Sequence, residues 1–179
     1  MNFAACIGNF WSVNPSVRIT VKRATDGSVG GAALHHAVVP TEGRAARGIT
    51  AAENGNPNAH SMTKHGSPTT REQQRERATA GKAPDGTTDR KLRDASRWLR
   101  NVDHYDGLEV AKRRREERIR LDPNSRGKRV EIEINFDNPV GEGYLKGTDN
   151  LMQTNRAIFR FDENGDLITS YPVLNFKNE

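Results

Sequence analysis

Residues that could transfer a proton or hold a phosphate occur in two parts of the chain. The first part is the segment AHSMTKHG, which contains His60 and His65 and is followed by Arg71, Arg75 and Arg77. An imidazole titrates near neutral pH, and a guanidinium can hold two phosphate oxygens through its planar fork. A histidine pair in a polar segment more often consists of two exposed side chains without a function than of a catalytic pair. These residues alone therefore do not establish a site.

The second part is the segment TSYP near the C-terminus. On a β-strand, side chains i and i+2 share a face, so Thr169 and Tyr171 should project together while Ser170 points the other way. Both side chains carry hydroxyls that can bind a phosphate or a base edge. Threonine and tyrosine are also common strand residues, and that explanation is the stronger one for this pair taken alone.

The sequence gives little reason to expect a metal ion or another cofactor. Cys6 is the single cysteine, and no HExxH or Cys/His pattern with zinc-ligand spacing occurs. Glu131 and Glu133 share a face of a predicted strand, but alternation explains them as the solvent side of a sheet. Gly141 and Gly143 form too weak a pattern for phosphate binding, because no helix begins there, and we interpret them as a turn.

Charge is distributed unevenly along the second half of the chain. Residues 90–129 contain 14 basic and 7 acidic side chains, whereas residues 130–179 contain 4 and 9. A charge run is usually a solvated helix face. Here the excess has one sign over a long stretch and precedes an acidic segment, so RNA or an acidic protein becomes a credible partner.

Amphipathic patterns place helices ahead of the strands. A stripe of apolar residues predicts a helix over 88–102, with Thr88 as its N-cap. A second helix is predicted after Asp106-Gly107, and Asp122-Pro123 ends it. A third, polar helix is predicted over 70–80, because arginine, glutamate and glutamine are good helix formers.

The C-terminal third shows the period-two alternation of half-buried strands. The segments RVEIEINF, NRAIFRF and DLITSYPVLNF each predict a strand. Asn164-Gly165 predicts a hairpin turn between the last two. Helices first and an antiparallel sheet afterwards is the α+β pattern.

The beginning of the chain differs from the rest in composition and in hydrophobic pattern. Residues 1–56 carry small and polar residues in loose order, and strand-like alternation occurs only at 17–21. We predict that 1–56 is a weakly ordered linker or a segment used to enter cells, and that 57–179 is the folded domain. The start does not read as a signal peptide, and no apolar run is long enough to cross a bilayer.

Together these motifs resemble the bacterial pancreatic-ribonuclease-like toxin domains at the C-termini of contact-dependent growth inhibition effectors and other polymorphic toxins. The resemblance spans roughly 57–174 and rests on the order of AHSMTKHG, ASRWLRN, LEVAKRR, VEIEINFDNPVGEGYLKG and RFDENGDLITSYPV. It implies an RNase A-like α+β fold: N-terminal helices followed by an antiparallel, strongly curved β-sheet. Such domains lack disulfides, in agreement with the single cysteine.

The resemblance also implies metal-independent cleavage of RNA. The matching catalytic positions are His60, Arg71, Thr169 and Tyr171. RNA carries its own nucleophile, the ribose 2′-OH, so the protein needs only to move protons and stabilise charge on the phosphate. The expected products are a 2′,3′-cyclic phosphate and a 5′-hydroxyl. The second proton carrier stays open.

Further residues are expected to bind the substrate. These are His65, which has an accessory role, with Lys64 and Arg75. Arg75 and Arg77 lie on the same predicted helix as Arg71, so either of them is an alternative for the catalytic arginine.

A toxin of this kind implies partners and a place of action. We expect an RNA substrate and a cognate immunity protein, with the chain a monomer or one half of a toxin–immunity heterodimer. It would be secreted as part of a larger effector and act in the cytoplasm of the target cell. Two alternatives remain: a barnase/colicin-like ribonuclease of different topology, and a non-catalytic basic RNA-binding module.

Overall fold

The computed structural model describes residues 40–174. The predicted strand at 17–21 and Cys6 lie outside this range. The helices are α1 (Glu42–Glu53), α2 (Ser61–His65), α3 (Arg71–Ala80) and α4 (Asn101–Leu121), with a short 3-10 turn at Pro123–Ser125. The strands are β1 (Ala95–Trp98), β2 (Val130–Asn135), β3 (Gly141–Tyr144), β4 (Leu151–Thr154), β5 (Arg156–Phe161) and β6 (Leu167–Pro172).

The six strands form two antiparallel sheets of three strands each. Their orders are β1-β3-β4 and β2-β5-β6, and neither closes into a barrel. The α+β class predicted from the sequence is confirmed. Within residues 40–174 no helix is long and apolar enough to cross a membrane.

Several local predictions are confirmed because neighbouring residues determine them. Helix α3 begins after Thr70, which forms a capping box with Gln73, and it ends at Gly81 in the left-handed conformation. The strands β2, β5 and β6 form where alternation placed them, and the turn between the last two contains Gly165 at a φ of 100°. Glu131 and Glu133 lie on the exposed face of β2, as the alternation predicts.

The helix predicted over 88–102 is wrong. Residues Ala95–Trp98 instead form β1, which pairs with β3. This strand is buried on both faces, so its side chains show no alternation, and the helical spacing of its apolar residues is a coincidence. Helix α4 begins at Asn101, before the start that was predicted after Asp106-Gly107, and it continues through Gly107.

The turn predicted at Gly141 and Gly143 is also wrong, since both residues lie in β3. A Cβ at Gly143 would lie 2.1 Å from the carbonyl oxygen of Ala95, and one at Gly141 would lie 2.2 Å from the ring of Pro172. The glycines therefore allow β1 and β6 to approach β3 closely.

The main core lies between α1, α4 and the β2-β5-β6 sheet. It includes the fully buried side chains of Ile49, Trp98, Leu108 and Phe159. Ile49 belongs to α1, which lies in the part of the chain that the sequence analysis assigned to the weakly ordered segment. Burial of a side chain of this size stabilises the fold by about 1.5–3 kcal/mol, which explains why α1 is docked on the domain.

Candidate active site

A cavity of about 290 Å³ opens where α2, α3 and β6 meet. Its lining combines cations, imidazoles and hydroxyls from five parts of the fold. The lining residues are His60, His65, Arg77, Arg93, Asp94, Arg160, Thr169 and Tyr171.

His60 lies directly before α2 and is partly exposed at the cavity. Its backbone N–H donates to the carbonyl of Ile168 at 3.1 Å, which ties it to β6. Its Nδ1 lies 2.8 Å from the carbonyl oxygen of Asn58. A carbonyl only accepts hydrogen bonds, so Nδ1 carries the proton in the neutral ring and Nε2 keeps its lone pair. That nitrogen can accept a proton from a substrate.

His65 is only 5% exposed, and both of its ring nitrogens are occupied. Nδ1 lies 2.8 Å from the carbonyl oxygen of Ser96, and Nε2 lies 3.2 Å from Nη1 of Arg77. Burial, with a smaller contribution from the charge of Arg77, holds the pKa of His65 well below its ordinary value. His65 is therefore neutral at neutral pH and acts as an acceptor that holds Arg77 in place.

Arg77 is a buried cation, 4% exposed, that lines the cavity. Its Nε donates to Asp89 at 3.0 Å and its Nη1 to His65 at 3.2 Å. These two bonds fix the plane of the guanidinium. A fixed guanidinium at the wall of a cavity is suited to binding an anion.

Thr169 and Tyr171 contribute hydroxyls from β6, while Ser170 points away and contacts His104. Thr169 is 4% exposed, and its Oγ1 has no hydrogen-bond partner among residues 40–174. An unpartnered buried hydroxyl costs about 1–3 kcal/mol, so a ligand that bonds to it would recover that energy.

Tyr171 lies between the histidines and a second arginine. Its ring centroid is 5.4 Å from that of His65, and the guanidinium carbon of Arg160 lies 5.4 Å from the same ring. Burial raises the pKa of Tyr171, although the charge of Arg160 opposes the shift. The phenol stays protonated at neutral pH and can donate a hydrogen bond.

The lining has an excess of positive charge. Arg77, Arg93 and Arg160 supply three cations against the carboxylate of Asp94, and each of these arginines also pairs with a carboxylate that does not line the cavity. In the described part of the chain, no three histidine, cysteine, aspartate or glutamate side chains are grouped as metal ligands. The arginines of the lining can bind an anion, and the imidazole of His60 can accept a proton.

The structure does not bring Arg71 to the cavity. Its guanidinium donates two hydrogen bonds, of 2.9 and 2.8 Å, to Glu142, which is 1% exposed and also binds Arg97. These bonds link α3 to β3 and β1, which indicates a structural role. Of the substrate-binding candidates, Arg75 pairs with Asp149 at 3.7 Å and Lys64 with Asp85 at 3.4 Å, and neither lines the cavity.

No family model matches this chain, and no curated protein gives a significant match. The crystal structure of a CdiA-CT/CdiI complex from Y. kristensenii 33638 is similar to it at a TM-score of 0.42 and 16% sequence identity, over 61% of this chain and 94% of that chain. At this level of similarity the match does not identify the family of the chain.

Three lining residues were not among the sequence predictions: Arg93, Asp94 and Arg160. Arg160 lies opposite Thr169 in the β5–β6 ladder, so a correct hairpin register would have found it. An irregularity between Arg160 and Phe161 shifts that register by one residue, and the sequence pattern does not reveal it. For Arg93 and Asp94 the sequence offers no indication.

Proposed function

We propose that this protein is a metal-independent endoribonuclease that acts as an interbacterial toxin. One observation carries the proposal: a single cavity joins the imidazole of His60, the fixed guanidinium of Arg77 and the unpartnered hydroxyl of Thr169. Each is a group that transphosphorylation of RNA uses.

In the proposed reaction, Nε2 of His60 takes the proton from a ribose 2′-OH. The oxygen then attacks the adjacent phosphorus, and the bond to the 5′-oxygen breaks as that oxygen takes up a proton, either the one now held by His60 or one from solvent. General base catalysis of this kind typically contributes about 10²–10⁴-fold to the rate. The products are a 2′,3′-cyclic phosphate and a 5′-hydroxyl, and DNA is not cut because it has no 2′-OH.

Charge develops on the non-bridging oxygens as the 2′-oxygen attacks. Arg77 is the group that holds them, in place of Arg71, because its guanidinium is fixed at the cavity before the substrate arrives. The hydroxyl of Thr169 donates a hydrogen bond to the same phosphate. Tyr171, whose phenol stays protonated, donates to the phosphate or to the leaving 5′-oxygen.

The biological setting follows from the resemblance of the sequence motifs. A ribonuclease that would kill its producer requires a neutralising partner, so we propose a cognate immunity protein. The toxin travels as part of a larger secreted effector and acts in the cytoplasm of the target cell. The RNase A-like architecture belongs to the same proposal, and a barnase/colicin-like strand order is its alternative.

The test is incubation of the purified protein with total RNA in EDTA, followed by analysis of the fragment ends. We expect cleavage with 2′,3′-cyclic phosphate and 5′-hydroxyl ends, and loss of at least about 100-fold in rate for His60→Ala. Circular dichroism must show that this variant is folded. RNA that is bound with steep salt dependence but left intact would instead indicate a non-catalytic binding module.

A further inference from the structure

Helix α2 carries the proposed catalytic histidine at its N-terminus, but that histidine does not cap the helix. The N-cap residue of a helix normally accepts a hydrogen bond from one of the first backbone N–H groups through its own side chain. His60 occupies the N-cap position of α2 and makes no such bond. Its imidazole is bound to the Asn58 carbonyl and lines the cavity instead.

The missing acceptor comes from another helix. Glu53, the last residue of α1, places Oε1 2.5 Å from the backbone nitrogen of Ser61 and 3.3 Å from that of Met62. The carboxylate thus accepts hydrogen bonds from two N–H groups that have no partner within α2. Its negative charge also interacts favourably with the positive N-terminal end of the helix dipole. Ser61 is fully buried, and its Oγ in turn accepts a hydrogen bond from the backbone of Ser170 at 2.8 Å.

Helix α1 supplies a second cap of the same kind, made by residues that do not line the cavity. Arg100 is the N-cap residue of α4 and makes no side-chain cap, and Glu42 accepts from the backbone nitrogen of Asn101 at 2.7 Å. In contrast, α1 and α3 are capped by their own residues, Thr41 and Thr70. The first and last residues of α1 therefore cap the two helices that do not cap themselves.

Helix α1 is held firmly enough to serve this purpose. Ala45 and Ile49 are fully buried, and Ile49 is part of the main core. Gly48 lies against the ring of Tyr105 on α4, where a Cβ would come within 2.3 Å of Cε2. A carboxylate at the end of such a helix has a defined position.

We infer that Glu53 is a positioning residue that holds His60 at the reacting phosphate. The inference rests on the proposed ribonuclease function. Because the carboxylate of Glu53 accepts the hydrogen bonds of the first backbone N–H groups of α2, the side chain of His60 is not needed as the cap. Its imidazole can therefore face the substrate. Displacement of a catalytic group by about 1 Å can cost about 100-fold in rate, so the bond to Glu53 bears directly on kcat.

The experiment compares four forms of the protein: wild type, Glu53→Ala, Glu53→Gln and the matched control Glu42→Ala. Each is assayed for kcat and KM on one RNA oligonucleotide in EDTA and for its Tm. We expect Glu53→Ala to lower kcat about 10- to 100-fold with little change in KM. Glu53→Gln keeps an oxygen acceptor and should recover most of the activity. Glu42→Ala should lower Tm to a similar extent and leave kcat unchanged.

A second measurement does not depend on activity. In nitrogen-15 NMR spectra, Glu53→Ala should shift or broaden the imidazole signals of His60 and leave those of His104 in place, and Glu42→Ala should leave His60 unchanged. Full kcat and unchanged His60 signals in Glu53→Ala would overturn the inference, as would equal losses of kcat in Glu53→Ala and Glu42→Ala. A wild-type protein that leaves RNA intact would instead overturn the proposed function, and the NMR comparison would still decide whether Glu53 positions His60.

Discussion

His60 lies directly before the short helix α2 and His65 is its last residue, with their ring centroids 6.4 Å apart, yet of the two only His60 has a ring nitrogen available to a substrate. Both nitrogens of His65 are taken by Ser96 and Arg77, and its burial keeps the ring neutral. His60 uses only Nδ1 for its bond to Asn58. The environment of each ring, not its residue type, fits His60 for the proposed proton transfer and His65 for holding an arginine.

The first residue-scale prediction separates Arg77 from Arg71. Arg77→Lys keeps the charge but removes the planar fork, so we expect kcat to fall by about 10²–10³. Arg71→Lys is the matched control, since Arg71 is also paired with a carboxylate but does not line the cavity. It should retain kcat and lower only Tm. Steady-state kinetics with Tm measurement check both, and a larger loss of kcat for Arg71→Lys would return the catalytic role to Arg71.

At the scale of elements, the sheet β1-β3-β4 holds the site in place through hydrogen bonds made by its strand β1. Ser96 in β1 accepts a hydrogen bond from His65 through its carbonyl, and its Oγ donates to the carbonyl of Pro172 at 2.6 Å. Through these bonds one strand links the α2 histidine to the end of β6. The position of His65, and through it that of Arg77, depends on the pairing of β1 with β3.

Gly143 provides the element-scale prediction. In Gly143→Ala the added methyl would lie 2.1 Å from the carbonyl oxygen of Ala95, so β1 must move and we expect a loss of about 1–3 kcal/mol in the free energy of unfolding. The control is Gly43→Ala in α1, where the nearest atom is Nη1 of Arg47 at 3.8 Å and a gain of about 0.5 kcal/mol is expected. Urea denaturation measures both. Equal stability of the two variants would contradict the close approach of β1 to β3.

How far the sequence predicts each element depends on where its determinants lie. Helix α3 and strands β2, β5 and β6 were predicted because caps, turns and alternation are local properties. Strand β1 was missed because burial on both faces removes the alternation. Helix α1 could not be inferred either, because Ile49 packs into a core whose other members, such as Leu108 and Phe159, are distant in the sequence.

The candidate site divides in the same way. His60, His65, Thr169 and Tyr171 reach one cavity, as their pattern and the resemblance led us to expect. The choice among the arginines of α3 depends on which face of the helix meets β1 and β3, and no local pattern specifies that. The structure places Arg71 against Glu142 and Arg77 in the cavity.

At the scale of the whole molecule, two buried neutral histidines make stability depend on pH. His104 is fully buried, stacks on Trp98 at 4.5 Å, and burial lowers its pKa to about 3. The pKa of buried His65 is also depressed. In the unfolded chain a histidine takes up a proton near pH 6.5, so the unfolded state binds more protons below that pH. The stability contributed by these groups is present above pH 6.5 and lost as the pH falls toward their folded values.

We therefore expect Tm to fall as the pH is lowered from 7 to 5, with His104 alone accounting for about 2 kcal/mol at pH 5. His104→Phe keeps an aromatic ring against Trp98 and removes the titrating group, so its Tm should vary less over the same range. Calorimetry at a series of pH values makes the comparison. Identical pH profiles for the two proteins would show that His104 does not remain neutral in the folded state.

The two carboxylate caps on α1 have a mechanical consequence. A pulling force applied from the N-terminal side of the described fold would reach α1 first, and peeling it away would remove Glu53 from α2 and Glu42 from α4 in the same event. The active centre would then lose its order at the start of forced extension, before the sheets separate. If the proposed ribonuclease activity holds, a chain unfolded from that end would be inactive on RNA until α1 had docked again.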